Sequence, residues 1–184
     1  MRRIVAAINM TIDGYADHTA VTPDEEVHEH YSELLSNADA ILYGRITYQL
    51  MEYWLTVLEN PTGNAAMDEF ALVIDRIPKV VFSNTLKSVD WKGTRIASRD
   101  LKDEVTDLRQ QPGKDILVGS PSIIISLMNH QLIDELQLCV HPVLAAGGMP
   151  LFKNIRERTV LKLLRTKTFK GGAVVFYYEP GMEG

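Results

Sequence analysis

Two hydrophobic patterns alternate along the first two-thirds of the chain. Short, nearly continuous apolar runs predict buried strands, whereas apolar residues three or four positions apart predict amphipathic helices. Their alternation is typical of a largely parallel sheet with helices on its faces. The predicted strands of this part are Arg3–Asn9, Ala40–Tyr43, Lys79–Ser83, Thr94–Ala97 and Asp115–Val118. The predicted helices cover residues 27–38, 45–58, 67–77, 101–108 and 123–128.

The pattern changes near residue 134. Three further strand patterns, Asp134–Val143, Leu161–Phe169 and Ala173–Tyr178, follow one another without a helix pattern between them. Strands joined in this way favour antiparallel pairing. We therefore expect one α/β domain over residues 1–184, with a mixed, mostly parallel sheet and antiparallel C-terminal strands. Gly181–Gly184 is expected to be a frayed tail.

Composition narrows the class of protein. A length of 184 residues suffices for one domain with a sizeable core, and a net charge of −5 argues against a binder of nucleic acids or anionic membranes. No apolar run is long enough to span a membrane, and the N-terminus lacks a signal-peptide pattern. The single cysteine, Cys139, cannot form an intramolecular disulfide. A cytoplasmic protein is expected, and any anion site must be local.

Polar junctions follow three of the predicted strands, at Gly44-Arg45, Ser83-Asn84-Thr85 and Gly119-Ser120-Pro121-Ser122. The carboxyl ends of parallel strands gather at one edge of a sheet, where the ligands of such folds bind. Two of the junctions open helices, whose free N–H groups suit phosphate. Ser120 fits a helix N-cap and Pro121 fits the first helical position. Together the junctions indicate a nucleotide cofactor, although each alone also fits an ordinary strand–helix turn.

Arg45 is the unusual residue of the first junction. A cation in the first helical turn opposes the helix dipole at a cost of roughly 0.3–1 kcal/mol, a penalty that a bound anion removes. Arginine also pairs well with phosphate, so Arg45 is a candidate ligand for an extra phosphate of the cofactor. The chain has neither G-x-G-x-x-G after its first strand nor G-x-x-x-x-G-K-[ST], which argues against a standard dinucleotide-binding dehydrogenase or a P-loop enzyme.

A set of motifs in order along nearly the whole chain resembles the dihydrofolate reductase-like superfamily. The motifs are IDG at 12–14, GRITY at 44–48, VVFS at 80–83, DILVGSP at 115–121, DEL at 134–136 and GGMPLF at 147–152. The resemblance is closest to the reductase domain of bifunctional riboflavin biosynthesis proteins. It implies a three-layer α/β/α fold, NADPH as cofactor, a homodimer, and hydride transfer to a small heterocycle or a ribosylaminopyrimidine.

The resemblance also implies roles for individual residues. Arg45 would lie near the 2′-phosphate of NADPH, and Ala7, on the first strand, would lie near the nicotinamide. The other implied cofactor residues are Gly44 and Thr47 for phosphates, Ser83 and Asn84 for the adenosine end, and Gly119, Ser120, Pro121 and Ser122 for the pyrophosphate.

The substrate side departs from the family pattern. Dihydrofolate reductases carry an acid on the first helix, where a count back from Gly44 places His28, with Glu29 next to it. His28 and Tyr48 are candidates for substrate contact. Asp13 and Glu29 are candidate proton donors, with water as the alternative. Asp13 also fits a plain turn, Tyr48 fits core packing, and the acidic run around His28 fits a solvated helix face.

No metal site is expected, because His28 and His30 are two residues apart and cannot share a metal on a regular helix. Cys139 and His141 alternate on one strand and are expected to pack in the core or at an interface. Two other functions stay open beside an NADPH-dependent reductase. One is a non-catalytic nucleotide-binding or regulatory module, and the other is a structural homodimer without a ligand. Apolar residues of the late strands, such as Leu138, favour a homodimer, and no nucleic-acid or membrane partner is expected.

Overall fold

The computed structural model describes residues 1–181. Its strands are β1 (Ile4–Thr11), β2 (Ala38–Gly44), β3 (Lys79–Phe82), β4 (Thr94–Ile96), β5 (Asp115–Val118), β6 (Glu135–His141), β7 (Leu161–Thr168) and β8 (Val174–Pro180). Its helices are α1 (Glu25–Ser36), α2 (Arg45–Met51), α3 (Tyr53–Glu59), α4 (Ala65–Arg76), α5 (Leu101–Gln110) and α6 (Pro121–Asn129). The predicted tail, Gly181–Gly184, lies outside the described residues apart from Gly181.

These strands form one eight-stranded sheet with the order β4-β3-β2-β5-β1-β6-β8-β7. From β4 to β6 in that order, every neighbouring pair is parallel. β8 pairs antiparallel with β6, and β7 pairs antiparallel with β8. The sheet is therefore mixed and mostly parallel, with antiparallel C-terminal strands, which confirms the fold class predicted from the sequence.

The parallel part of the sheet is buried on both faces. Along β1, Ile4 and Ala6 face one hydrophobic cluster, which side chains of α5 and α6 complete. Val5 faces a second cluster, which includes Leu35 of α1 and Phe70 of α4. Burial on two faces explains why these strands read as nearly continuous apolar runs rather than as alternating ones.

The segment predicted as one helix over residues 45–58 is instead two helices, α2 and α3, separated at Glu52. The N–H of Leu55 donates to the carbonyl of Glu52 at 3.0 Å, three residues back rather than four. A bond of this span tightens the backbone and interrupts the regular α-helical ladder. The apolar spacing that predicts a single helix continues across the break, so the spacing alone did not reveal it.

β7 is the free edge of the sheet beyond β8. Residues 162–168 of this strand are all exposed, including Leu163 and Leu164. The antiparallel end of the sheet is covered mainly on one face, where Val27 of α1 packs with Cys139 and Val175. This end therefore offers many side chains to solvent, unlike the parallel part.

Candidate cofactor site

The structure brings the three polar junctions together at the carboxyl edge of the parallel strands. Gly44, the last residue of β2, pairs with Phe82 at the end of β3, so Ser83 lies beside Arg45. On the other side of β2, Leu42 pairs with Val118 of β5. The segments that follow β2 and β3 thus start at the same level of the sheet, and the segment that follows β5 starts two residues earlier along β2.

A buried hydrogen bond joins two of these junctions directly. The N–H of Gly44 donates to Ser120 Oγ at 2.8 Å, and the Ser120 side chain is buried. A Cβ atom on Gly44 would lie 3.1 Å from Ser122 Oγ, so the glycine permits the close approach of the two segments. The start of α2 is therefore held against the start of α6.

Ser120 occupies the N-cap position of α6, as predicted, but its side chain does not cap the helix. Its hydroxyl oxygen accepts the N–H of Gly44 instead, which corrects the expectation that it bonds to an N–H of its own helix. The first-turn N–H groups of a helix have no acceptor within the helix. Because Pro121 has no N–H, the amides of Ser122 and Ile123 are the ones left without a side-chain cap, and such amides suit an anion.

Gly119 also allows a close approach, here to the core. A Cβ atom at this position would lie 3.2 Å from Cε1 of Tyr43, whose side chain is buried on β2. The close packing of Tyr43 thus explains a glycine at this position. Ala7 lies at the same level, because its neighbour Ala6 pairs with Val118.

Arg45 is exposed at the first position of α2, and its Nη1 donates to Gln49 Oε1 at 3.2 Å. It forms no ion pair with any carboxylate of residues 1–181. Thr47 is half-buried in the same helical turn. The charge of Arg45 is therefore available to an incoming anion, as a phosphate ligand at this position needs.

The Ser83 side chain forms its hydrogen bonds mainly within its own turn. Its Oγ accepts the N–H groups of Thr85 at 3.1 Å and Leu86 at 3.0 Å. Asn84, between them, is exposed. The Ser83 hydroxyl therefore shapes the junction after β3, and Asn84 is the side chain of this turn that faces solvent.

Asp13 ties together the loops that follow β1 and β6. Its carboxylate accepts Thr11 Oγ1 at 2.6 Å and the N–H groups of Ala145 at 3.1 Å and Ala146 at 2.9 Å. These hydrogen bonds, led by that from Thr11, hold the pKa of Asp13 below its usual range. The structure thus favours the ionised form of this carboxylate, which is the form that cannot donate a proton.

The candidates on the substrate side occupy three different environments. The His28 ring packs edge-on against Trp54 and Phe70, with ring centroids 5.8 and 5.9 Å apart. Tyr48 is only 2% exposed, which corresponds to core packing. Glu29 lies on the exposed face of α1. The structure does not bring Asp13, His28 and Glu29 into one cluster.

Sequence reasoning missed a polar pair between the ends of β1 and β6. His141 Nε2 lies 2.9 Å from Asn9 Oδ1, and burial lowers the pKa of His141. Cys139 Sγ lies 3.6 Å from the same nitrogen, and burial raises the pKa of its thiol to about 12. The pairing of Asn9 with Cys139 across two strands produces this contact, and no local sequence signal marks it.

The described residues contain neither a metal-binding cluster nor a membrane-spanning helix. Among residues 1–181, no group of three or more His, Cys, Asp or Glu side chains is arranged to hold a metal ion. Within the same part of the chain, no helix has the length and apolar character needed to cross a membrane.

Comparison with known proteins identifies the family. The profile of the RibD C-terminal domain matches residues 2–175. The chain belongs to the RibD C-terminal domain family. This RibD-type chain is 32% identical over 185 residues to the uncharacterized protein YyaP of Bacillus subtilis strain 168, a match that covers 96% of the chain and 94% of YyaP.

Solved structures agree with the RibD-type fold. A putative riboflavin biosynthesis protein from Shewanella sp. PV-4 superposes with a TM-score of 0.73 at 20% identity, over 99% of this chain and 100% of that one. The deaminase/5-amino-6-(5-phosphoribosylamino)uracil reductase of Thermotoga maritima gives a TM-score of 0.70 at 14% identity, over 98% of this chain and 57% of that one. These matches confirm the predicted fold, and the family profile confirms the predicted resemblance to the C-terminal domain of RibD-type riboflavin biosynthesis proteins.

Proposed function

We propose that this protein is an NADPH-dependent reductase that transfers hydride to a small heterocyclic or ribosylaminopyrimidine substrate. The observation that carries the proposal is the uncapped N-terminus of α6, locked to the start of α2 through Gly44 and Ser120. Ordinary helix starts use such a serine as a cap. Here the serine joins two segments and leaves the amides of the first turn for an anion.

The residues at the carboxyl edge fit a phosphorylated dinucleotide. Arg45 would pair with the 2′-phosphate, and the amides and hydroxyl at Ser122 would hold the pyrophosphate. Gly44 and Thr47 would contact phosphates, and Ala7, level with Gly119 at the centre of the sheet, would lie under the nicotinamide. The remaining contacts in the proposal come from Ser83, Asn84, Gly119, Ser120 and Pro121. NADPH, when bound, supplies the hydride.

The chain's own contribution to the reaction is positioning and exclusion of water. The loops after β1 and β6 are joined by the Asp13 carboxylate and by a bridge between Tyr15 and Pro150. In this proposal they would form one wall beside the nicotinamide. Asp13 is held ionised and Glu29 faces solvent, so neither is well placed as a proton donor. We therefore assign the proton to water.

The same observation about proton donors favours a second candidate, a nucleotide-binding module that does not catalyse. One experiment separates the two. NADPH is titrated while nicotinamide fluorescence is followed, and its oxidation is then measured with a panel of dihydropterins and ribosylaminouracils. Saturable binding with oxidation of NADPH supports the reductase. Binding without oxidation by any member of the panel favours the module, and no binding at all contradicts both.

A further inference from the structure

A polar pocket on the other half of the sheet is not used by the proposed reductase. The cavity, of about 390 Å³, lies between α1 and the strands β6, β8 and β7. We call it the α1–β7 pocket and define it by His30, Glu33, Gln137, Arg165, Lys167 and Tyr177. The proposed cofactor contacts come from β1, β2, β3 and β5 and the segments after them, whereas the strand residues of the pocket come from β6, β7 and β8; the two sites adjoin where Ala7 pairs with Gln137.

Gln137 lines this pocket and carries a buried acceptor without a partner within residues 1–181. Its side chain is 4% exposed, and its Nε2 donates to Glu135 Oε1 at 2.6 Å. A carboxylate oxygen only accepts, so this bond fixes the amide with Oε1 pointing away from Glu135. Gln137 Oε1 is buried and has no hydrogen-bond partner within residues 1–181. Buried polar groups normally have a hydrogen-bond partner, so a ligand that donates to this carbonyl would satisfy it.

Two cations stand at the mouth of the pocket. The Arg165 guanidinium lies 3.8 Å from the ring centroid of Tyr177, and Lys167 Nζ lies 5.3 Å from that of Phe169. Neither cation forms an ion pair with a carboxylate in the described part of the chain. Stacking on aromatic rings holds both charges near the cavity without neutralising them.

His30 adds a neutral ring to the inner wall. It is 6% exposed and packs against Tyr31, Phe169 and Tyr177, with centroids 5.4, 5.7 and 6.4 Å away. Burial, followed by the charge of Lys167, lowers the pKa of His30 to about 4. At neutral pH the imidazole is therefore uncharged and reports on any negative charge that enters the pocket.

We propose that the α1–β7 pocket binds a small phosphate-bearing anion, either inorganic phosphate or a phosphate monoester with a free hydroxyl. Its anionic oxygens pair with Arg165 and Lys167, and its P–OH or neighbouring hydroxyl donates to Gln137 Oε1. The two cations exceed the single carboxylate of Glu33, so the pocket selects a negative ligand. The buried acceptor then selects an anion that also carries a donor.

The test uses NMR spectroscopy of the histidine rings in the full chain, titrated separately with inorganic phosphate, glycerol 3-phosphate and sulfate. His30→Gln identifies the His30 resonance among the five histidines. We expect saturable phosphate binding and a rise in the pKa of His30 of about one pH unit, since a negative charge nearby favours imidazolium. Sulfate, which has no proton to donate at neutral pH, should bind about fivefold more weakly. Tighter binding of glycerol 3-phosphate than of phosphate would identify a monoester as the ligand, and the reverse would identify free phosphate.

Variants make the assignment specific. Arg165→Ala and Lys167→Ala should each weaken the binding of phosphate and of sulfate about tenfold. Gln137→Leu should remove the preference for phosphate over sulfate, and Gln137→Met serves if the first variant does not fold. Lys162→Ala, which removes the same charge from β7 outside the pocket, should change nothing.

Phosphate could also bind at the proposed cofactor site, so Arg45→Ala is titrated in parallel. The response of His30 to phosphate should survive in that variant, whatever happens to NADPH binding. The proposal is overturned if phosphate does not shift the His30 resonance, or if it shifts that resonance in Arg165→Ala as much as in the wild type. Neither result bears on the proposed reductase.

Discussion

The two halves of the sheet solve the problem of ligand binding in different ways. From β4 to β6 the strands are parallel and buried on both faces, so their side chains are committed to the core. What this half offers at its carboxyl edge is mainly backbone, the uncapped amides of α6 and the glycines beside them. At the antiparallel end, the α1–β7 pocket is built from side chains of α1, β6, β7 and β8, on the face of the sheet that α1 partly covers. The parallel half thus offers a ligand the ends of its strands and helices, whereas the antiparallel end offers side chains on one face of the sheet.

The largest effect in this comparison should come from the core beneath β6, the strand shared by both halves. Leu136 is fully buried, and Leu136→Ala should lower the free energy of unfolding by about 2–5 kcal/mol because it leaves a cavity. Leu163 on β7 is 51% exposed, and Leu163→Ala should change that free energy by less than about 0.5 kcal/mol. Urea unfolding measures both. A loss at Leu163 comparable to that at Leu136 would mean that the β7 face is covered in solution, for instance by a second copy of the chain.

The next largest effect concerns the charge of the cofactor site. Arg45→Ala should weaken NADPH binding about 10- to 100-fold, because a charge-assisted bond to the 2′-phosphate is worth roughly 1.5–3 kcal/mol. NADH, which has no 2′-phosphate, should bind as before. Fluorescence titration with both nucleotides measures the ratio. Arg76→Ala, at an exposed arginine in the last turn of α4, is the matched control. Equal losses for NADPH and NADH would remove Arg45 from the 2′-phosphate.

Ser120→Ala tests the bond that joins the two junctions. The variant leaves the buried N–H of Gly44 without an acceptor, which should cost about 1–3 kcal/mol in the free energy of unfolding. The variant should also weaken the binding of NADPH, because the hydrogen bond that holds the start of α2 against the start of α6 is lost. Ser126→Ala on the same helix is the control, since its hydroxyl makes no hydrogen bond within residues 1–181. Unchanged NADPH affinity in a destabilised Ser120→Ala would show that the bond serves the fold alone.

The smallest expected effect is the pH dependence contributed by Asp13. Its folded-state pKa is lowered, so the carboxylate stabilises the protein above the unfolded pKa of about 3.9, and this stability is lost as the pH falls through the lower, folded value. Asp13→Asn should therefore be less stable than the wild type at neutral pH, and the difference should shrink below about pH 4. Urea unfolding across this range gives the comparison. A difference independent of pH would mean that the charge of Asp13 plays no part in tying the loops.

The predictability of the structure from sequence follows the same division. In the parallel half, strands that are buried on both faces need nearly continuous apolar runs, so the sequence predicts them. Residues typical of helix starts likewise predict the junctions at Gly44 and Ser120. The hydrogen-bond partner of Ser120 could not be predicted, because its hydroxyl accepts the N–H of Gly44, which lies 76 positions away in the chain. The break at Glu52 was missed for a related reason, since the apolar spacing continues across it.

At the antiparallel end almost none of the functional geometry could be predicted. The α1–β7 pocket joins His30, Gln137 and Arg165, which come from three distant segments, and no motif marks any of them. Beyond that end of the sheet, the sequence offers Asp13 either as a proton donor or as a turn residue, and it does not reveal its bonds to a distant loop. Only the folded chain shows that it holds Ala145 and Ala146 of a loop far along the chain.

The position of β5 between β1 and β2 also has a consequence for the order in which the molecule is assembled. β1 and β2 do not pair with each other. Each pairs with β5, Asp115–Val118, which lies between them in the sheet. A chain emerging from the ribosome therefore holds Arg45 and Gly44 long before it can form the site around them. Such distant pairings are slow steps in folding. Competence to hold a dinucleotide should arise late and all at once, when residues 115–122 arrive.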